Sequence, residues 1–498
     1  MSLRSRLLLS GGSVALLCLV GFADCGAQST TGRRPEARAV REKDRARRFE
    51  AKPTRCDGQS SGLCSRVVAP GPGRHSSVAV DGEPAKDLES GEPTAAIDNQ
   101  GVQTEGEAPL WVPIPIENRS DKALMHFYAA LRRVENGEGQ ARITFYGASH
   151  VASDLFTGIV RQKLQSRFGE SGPGFVMPAK PWKWYRHSGI RVERSRGWKT
   201  IRVEARAPKA ERYGYAGVAL ESKDKYASGV IETRRNGGLK GVASRFELFY
   251  LKQPRGGHMV VFIDGKRMKR LSTEASHYET AYEIFEAPEA HHRFEIRTQG
   301  DGAVRVFGVA IERDTPGIIL DTVGIPGARA ANHLLWDDTI YREHLAKRTP
   351  DLIVLAYGTN EAGDDDVAIE TYESELVNVM TRIREIAPQA SCVLVGPSDR
   401  PLETEDKSYS PRPRTGLIIE SQRRVAAEFS CGFFDLVAFM GGPMSMLRWV
   451  AADPPHGASD HVHYTLRGYK RLAEVFSQAL IADYQPQEEK SRVNESTP

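Results

Sequence analysis

The chain has 498 residues, 40% of them hydrophobic and 27% charged, with a formal net charge of +4. That length supports two or three domains with sizeable cores. So small a net charge over so long a chain makes no case for nucleic acid or a membrane surface as a partner.

Arg4 and Arg6 open the chain, an apolar run from Leu7 to Ala23 follows, and small residues come next. This order reads as a secretory signal peptide over residues 1–27, and so as export to the periplasm or beyond. Ser10, Gly11, Gly12 and Ser13 weaken the run as a retained anchor. Asp24 disfavours lipidation at Cys25, where a small residue is wanted. Contact with a membrane is therefore expected only through the signal or a retained N-terminal anchor.

Residues 28–108 show no apolar periodicity. Their first half is basic and their second acidic and rich in Gly and Pro. Such a segment cannot bury enough apolar area to offset its ordering entropy, and it reads as a disordered linker. Cys56 and Cys64 could close a small loop in an exported protein. Gly58-Gln59-Ser60-Ser61-Gly62 fits G-x-S-x-G, but no strand precedes it, so it is not a nucleophile elbow.

Order begins near Leu110, in a segment taken as 109–175. ARITFYG places Ile143 and Phe145 in alternation, then reaches Gly147 and Ser149. Val151, Leu155, Ile159, Leu164 and Phe168 follow at helical spacing, and Gly169 ends the helix. Over 176–313 the texture becomes short alternating runs (RFELFYLKQ, HMVVFIDG, HRFEIRTQ, AVRVFGVAIE) with turn signals such as Asp264-Gly265 between them. This predicts an inserted all-β sandwich.

Over 314–485 strands and helices alternate again. DLIVLAYG runs into GTNEAG. TYESELVNVMTRIREIAP puts Tyr372, Leu376, Val379, Ile383 and Ile386 on one face. SCVLVGP and CGFFDLVAF read as two more buried strands, opening on Cys392 and Cys431, either two buried thiols or a disulfide between neighbours. LRGYKRLAEVFSQALIADY is a last amphipathic helix with Leu472, Phe476 and Leu480 inward. Residues 486–498 read as a disordered tail. The expectation is an α/β fold with a parallel sheet covered on both faces, split by a β-sandwich insertion.

Four places carry side chains suited to chemistry. Ser149 sits where the first strand turns into a helix, at the carboxyl edge where open α/β sheets place ligands. A helix start also supplies free N–H groups. Asp460 lies three residues before His463, close enough to hold the imidazole tautomer and leave the other ring nitrogen for a serine proton. Asn360, after a strongly apolar strand, can aim its amide at the same edge. Gly327, after the strand around ILDTV, offers an N–H with no Cβ in the way. Taken singly, each is ordinary cap or turn chemistry.

Together, in the order Ser, Gly, Asn, Asp/His, they resemble the SGNH (GDSL-like) hydrolases, whose blocks are named for Ser, Gly, Asn and His. The long gap from Ser149 to Gly327 holds the β insertion, while Gly327 and Asn360 are close. FYGASHVASDLFTG, GESGPGFVMP, LAYGTNEA, QRRVA, MGGPMSMLRW and DHVHYTLRGY are similar to bacterial peptidoglycan O-acetylesterases, which carry a carbohydrate-module-like β domain between the serine and glycine blocks. The resemblance implies a three-layer α/β/α domain, a Ser149–His463–Asp460 triad, and an oxyanion hole of the Ser149 and Gly327 N–H groups with the Asn360 amide.

It also implies an acetylated cell-wall glycan, above all peptidoglycan, as the partner. The same triad would serve an O-acetyltransferase, and a non-catalytic wall-binding protein could keep the fold. One residue departs from the family: Ala148 stands where Gly-Asp-Ser has its acid. No cofactor is expected and no metal, since His456, His461 and His463 lack zinc-like spacing. His291-His292 is expected to be exposed. Trp182, Trp184, Tyr185 and Trp198 in the insertion either face a glycan or pack the interface between the domains.

Overall fold

A computed structural model describes residues 109–118, 120, 122–203 and 212–486. The signal peptide, the linker, Cys56, Cys64, the Gly58–Gly62 motif and the tail from 487 onward lie outside the described residues.

Five all-parallel strands form the central sheet, in the order Gly317–Gly324, Gln140–Gly147, Leu352–Ala356, Ser391–Val395, Gly432–Phe434. In chain order this is 2-1-3-4-5, so the direction of winding reverses between the first and third strands. Loops leaving those two strands diverge and open a crevice at their carboxyl ends. Ser149 follows the first strand and Asn360 the third, one on each side of it.

The strands are apolar on both faces, as a covered parallel sheet requires. On one face Phe145, Leu320, Val354 and Val393 meet the helices Met125–Glu135, Phe156–Phe168 and Leu466–Leu480. Phe476 of the last helix packs edge-on against Phe145 and Phe156. On the other face Ile353, Leu355 and Leu394 meet Leu376, Val379 and Ile383 of Ile369–Ile386 and Ile418 and Val425 of Pro413–Glu428.

Between the first two parallel strands the chain leaves for two antiparallel sheets. One has Glu279–Ala290, Ala243–Lys252, Val304–Glu312, Val218–Ser222 and Lys199–Arg202 side by side, with Gly174–Val176 also paired to Val304–Glu312. The other orders Ile190–Arg194, Lys225–Thr233, Arg293–Gln299, His258–Ile263 and Lys266–Ser272. Their inner faces meet where Phe246 stacks on Phe294 at 5.4 Å.

The first of these sheets also covers the first two parallel strands. Tyr215 and Phe175 belong to one buried cluster with Tyr146 and Val323. Beneath them lies a buried ionic and hydrogen-bonded network. Arg348 donates to Asp321 (2.8 and 3.0 Å) and to Glu312 (2.6 Å). Arg142 also donates to Glu312, and Tyr215 to Asp321. Two carboxylates can be buried here because guanidinium groups answer them.

Two local expectations change, and two alternatives left open are decided. The helix after Ser149 is a single turn, Ser149–Ala152, and the long helix starts afresh at Phe156. Asp154 breaks it with φ of 50°. Its buried carboxylate takes Thr157, Arg161, Thr322 and the Ser188 N–H. Tyr185 and Trp198 are only 8% and 5% exposed and belong to the shared core. They are interior residues, not a glycan-facing platform. His292 is buried, bonded to Asp264 and the Pro288 carbonyl, because the connection between the strands Glu279–Ala290 and Arg293–Gln299 tucks it inward. Cys392 and Cys431 are joined in a disulfide across the last two strands of the sheet.

Candidate active site

Gly147 ends the first strand, and a Cβ there would lie 2.4 Å from Val151 Cγ2 and 2.8 Å from the Ala356 carbonyl. Glycine thus lets the turn that carries Ser149 fold tightly against the third strand. The Val151 and Ala152 N–H groups return to the Ala148 carbonyl. The Ser149 N–H, ahead of them, donates to no carbonyl among the described residues, as the first amide of a helix must. Ala148 is buried in the core, and its carbonyl does the capping that the turn needs.

The last helix positions the histidine. Thr465 is its N-cap, accepting from the Gly468 N–H and holding the Pro455 and His456 carbonyls. Asp460 folds the loop just before it. One carboxylate oxygen accepts the Val462 and His463 N–H groups, each at 2.9 Å, and His461 takes φ of 55° to permit this. The other oxygen lies 2.6 Å from His463 Nδ1. An ionised carboxylate only accepts, so Nδ1 carries the proton and Nε2 is left as an acceptor. His463 Nε2 is 2.8 Å from Ser149 Oγ. Burial pushes the Asp460 pKa up, but the bonds from the His463 ring and the two N–H groups outweigh it and hold the carboxyl below its usual range.

Gly327 occupies the third position of the turn Ile325–Ala328, closed by the Ala328 N–H on the Ile325 carbonyl. Pro326 precedes it and its φ is +75°, the type II arrangement that favours glycine. Nothing lies within 4 Å of a Cβ there, so the backbone conformation, not crowding, calls for glycine. Asn360 donates from Nδ2 to the Ala328 carbonyl at 2.9 Å. One amide hydrogen thus ties the third-strand loop to the Gly327 turn, and the second remains for a ligand.

All five residues singled out from the sequence therefore meet at one sheet edge, with Ser149, His463 and Asp460 in a continuous hydrogen-bonded chain. Such a chain can move a proton from a serine hydroxyl to an imidazole while the hydroxyl attacks an electrophile.

Two further residues escaped the sequence reading. Glu361 is buried and accepts from the Ala330 N–H at 2.8 Å and the Gly358 N–H at 3.0 Å, clamping the same two loops, and its burial raises its pKa. His150 is buried beside His463 with both ring nitrogens bonded, to Tyr469 OH and Ser398 Oγ. Burial and the neighbouring His463 push its pKa down to about 3. Both stand next to motif residues, which was the available signal; their partners are too distant in sequence to be inferred. His456 and His461 face elsewhere: His456 stacks on Trp111, and His461 lies tilted against Tyr409. Among the described residues no group of three or more His, Cys, Asp or Glu is arranged to hold a metal.

Residues 294–471 match the GDSL-like lipase/acylhydrolase family. The match holds Gly327, Asn360, Asp460 and His463 but not Ser149, which the insertion separates from them. A solved peptidoglycan O-acetylesterase superposes with a TM-score of 0.61 at 25% identity, over 72% of this chain and 96% of that one. Family two carbohydrate esterases from Clostridium thermocellum (11% identity, 59% of this chain and 98% of that, TM-score 0.26) and Cellvibrio japonicus (13%, 59% and 98%, 0.25) are far more distant. Among curated proteins nothing matches the chain. With the family match over residues 294–471 and that structural likeness, the chain resembles the SGNH/GDSL-like hydrolases and is a carboxylic ester hydrolase.

Proposed function

We propose that the protein is an exported esterase that removes O-acetyl groups from a cell-wall glycan, peptidoglycan above all. The observation that carries this is the hydrogen-bonded chain from Ser149 Oγ through His463 to Asp460. The likeness to a peptidoglycan O-acetylesterase supports the substrate. The Cys392–Cys431 disulfide supports export, because such bonds persist in oxidising compartments.

In this reading Ser149 Oγ attacks the acetyl carbonyl carbon as its proton passes to His463 Nε2. Asp460 stabilises the imidazolium that results. The Ser149 and Gly327 N–H groups and the free Asn360 amide hydrogen receive the oxyanion. The tetrahedral centre collapses, His463 returns its proton to the departing sugar oxygen, and acetyl-Ser149 remains. Water, deprotonated by His463, attacks that ester, and collapse releases acetate and restores the serine.

The test measures p-nitrophenyl acetate hydrolysis, then acetate released from O-acetylated and from base-treated peptidoglycan. Wild type should release acetate only from the acetylated polymer, and Ser149→Ala should lose both activities. Wild-type rates in Ser149→Ala would remove the nucleophile assignment. Acetyl transfer to an added oligosaccharide without acetate release would make the protein a transferase instead. No activity on any ester would leave a binding protein.

A further inference from the structure

His150 is a buried titratable side chain beside the triad that none of these proton transfers uses. It follows Ser149 directly in the chain. Its ring centre lies 5.4 Å from that of His463, 4.9 Å from Tyr464 and 5.7 Å from Tyr469. Nδ1 is 2.9 Å from the Tyr469 hydroxyl, on the last helix. Nε2 is 3.4 Å from Ser398 Oγ, in the loop after the fourth strand of the sheet. The Ser398 N–H donates to Thr359 Oγ1 at 3.1 Å, and the two hydroxyls lie 3.3 Å apart. Thr359 immediately precedes Asn360.

His150 therefore sits in the serine turn, packs against the histidine loop and its helix, and reaches the asparagine loop through Ser398. We propose that His150 is a positioning residue, which keeps Ser149, His463 and Asn360 in mutual register through its ring contacts and the chain Tyr469–His150–Ser398–Thr359. The inference rests on the reading of Ser149 as nucleophile.

The chemistry of the position fits. A neutral imidazole bonds a hydroxyl at each nitrogen, one as donor and one as acceptor, which no apolar ring can do. Its burial keeps it neutral, so it adds no charge to oppose the imidazolium that forms on His463. Phenylalanine would keep the ring packing and lose both bonds. Asparagine places an amide where Nδ1 stood, and glutamine one where Nε2 stood, so each restores one link.

The experiment measures kcat and KM on p-nitrophenyl acetate for the full chain and its His150→Phe, His150→Asn, His150→Gln, Ser398→Ala and His150→Phe/Ser398→Ala variants. Thermal unfolding and fluorophosphonate labelling of Ser149 are followed in parallel. His150→Phe should lower kcat about 10²-fold, the scale of an ångström-sized misplacement, with KM within twofold. Asparagine or glutamine should recover part of that loss. The double variant should be no slower than His150→Phe alone, since both substitutions break one chain.

A folded His150→Phe with kcat within twofold of wild type overturns the proposal. So does a loss confined to KM, or losses that multiply in the double variant. If His150→Phe does not fold, Ser398→Ala and Tyr469→Phe, which each delete one hydroxyl, decide the matter. Lowered kcat at constant KM in either supports the chain, and unchanged kcat in both removes it. Wild-type protein that is neither active nor labelled at Ser149 fails the nucleophile reading itself, a result distinct from any ratio of variant to wild type.

Discussion

At the scale of single residues, Asp460 does two things with one carboxylate: it folds its own loop through two N–H groups and fixes the His463 tautomer through the ring. Asp460→Asn keeps the shape but not the demand for a proton on Nδ1, so kcat should fall by about 10³-fold or more with KM nearly unchanged; steady-state kinetics checks this. Asp154 offers a pH test. Burial acts to raise its pKa, but Arg161, His187 and the Ser188 N–H bring it down to about 2. A depressed carboxylate stabilises the fold above its unfolded pKa and loses that effect as pH falls through the folded value. About 2 kcal/mol of stability should therefore be present above pH ~4 and disappear between about pH 4 and 2. Urea unfolding at pH 5 and pH 3 should show the drop in wild type, with a weaker slope in Asp154→Asn. Neither Asp154 nor Glu361 was legible beforehand: Thr322, Ser188 and Ala330 are their partners, and only the fold brings these near.

At the scale of elements, period and turn chemistry located most of the strands and helices. The alternation in ARITFYG, the apolar run of DLIVLA and the one-sided LRGYKRLAEVFSQAL correspond to Gln140–Gly147, Leu352–Ala356 and Leu466–Leu480. The break at Asp154 was not visible, because apolar spacing continues across it while the carboxylate's contacts lie elsewhere. The cysteine pair was left open for a similar reason: spacing along the chain does not say which strands are neighbours. The disulfide closes a sequence separation of 39 residues. Loop closure of that size restrains the unfolded chain by about 2–4 kcal/mol. Cys392→Ser/Cys431→Ser should lose stability in that range, measured by denaturant unfolding, and wild type in reductant should follow it.

At the scale of the whole molecule, the insertion is a covering layer and not an appendage. Its sheet shares a core with the first two parallel strands, and Arg348 joins Glu312 on an insertion strand to Asp321 on a parallel one. Arg348→Ala leaves two buried carboxylates short of a counter-charge, which costs about 3–5 kcal/mol. Calorimetry should show one transition, shifted down, for the whole region. Two separated transitions would mean that the layers unfold independently.

The chain alone was enough to read the α/β class, the β excursion between the serine and glycine blocks, and Ser149, Gly327, Asn360, Asp460 and His463 as candidates. Those are written in short-range pattern: period, turn residues, and an acid three places before a histidine. The fold alone reveals that the winding reverses between the first and third strands, that Asn360 ties its loop to the Gly327 turn, and that His150 bonds both the last helix and the Ser398 loop. These depend on which strands lie side by side, which long-range packing settles and local sequence does not record.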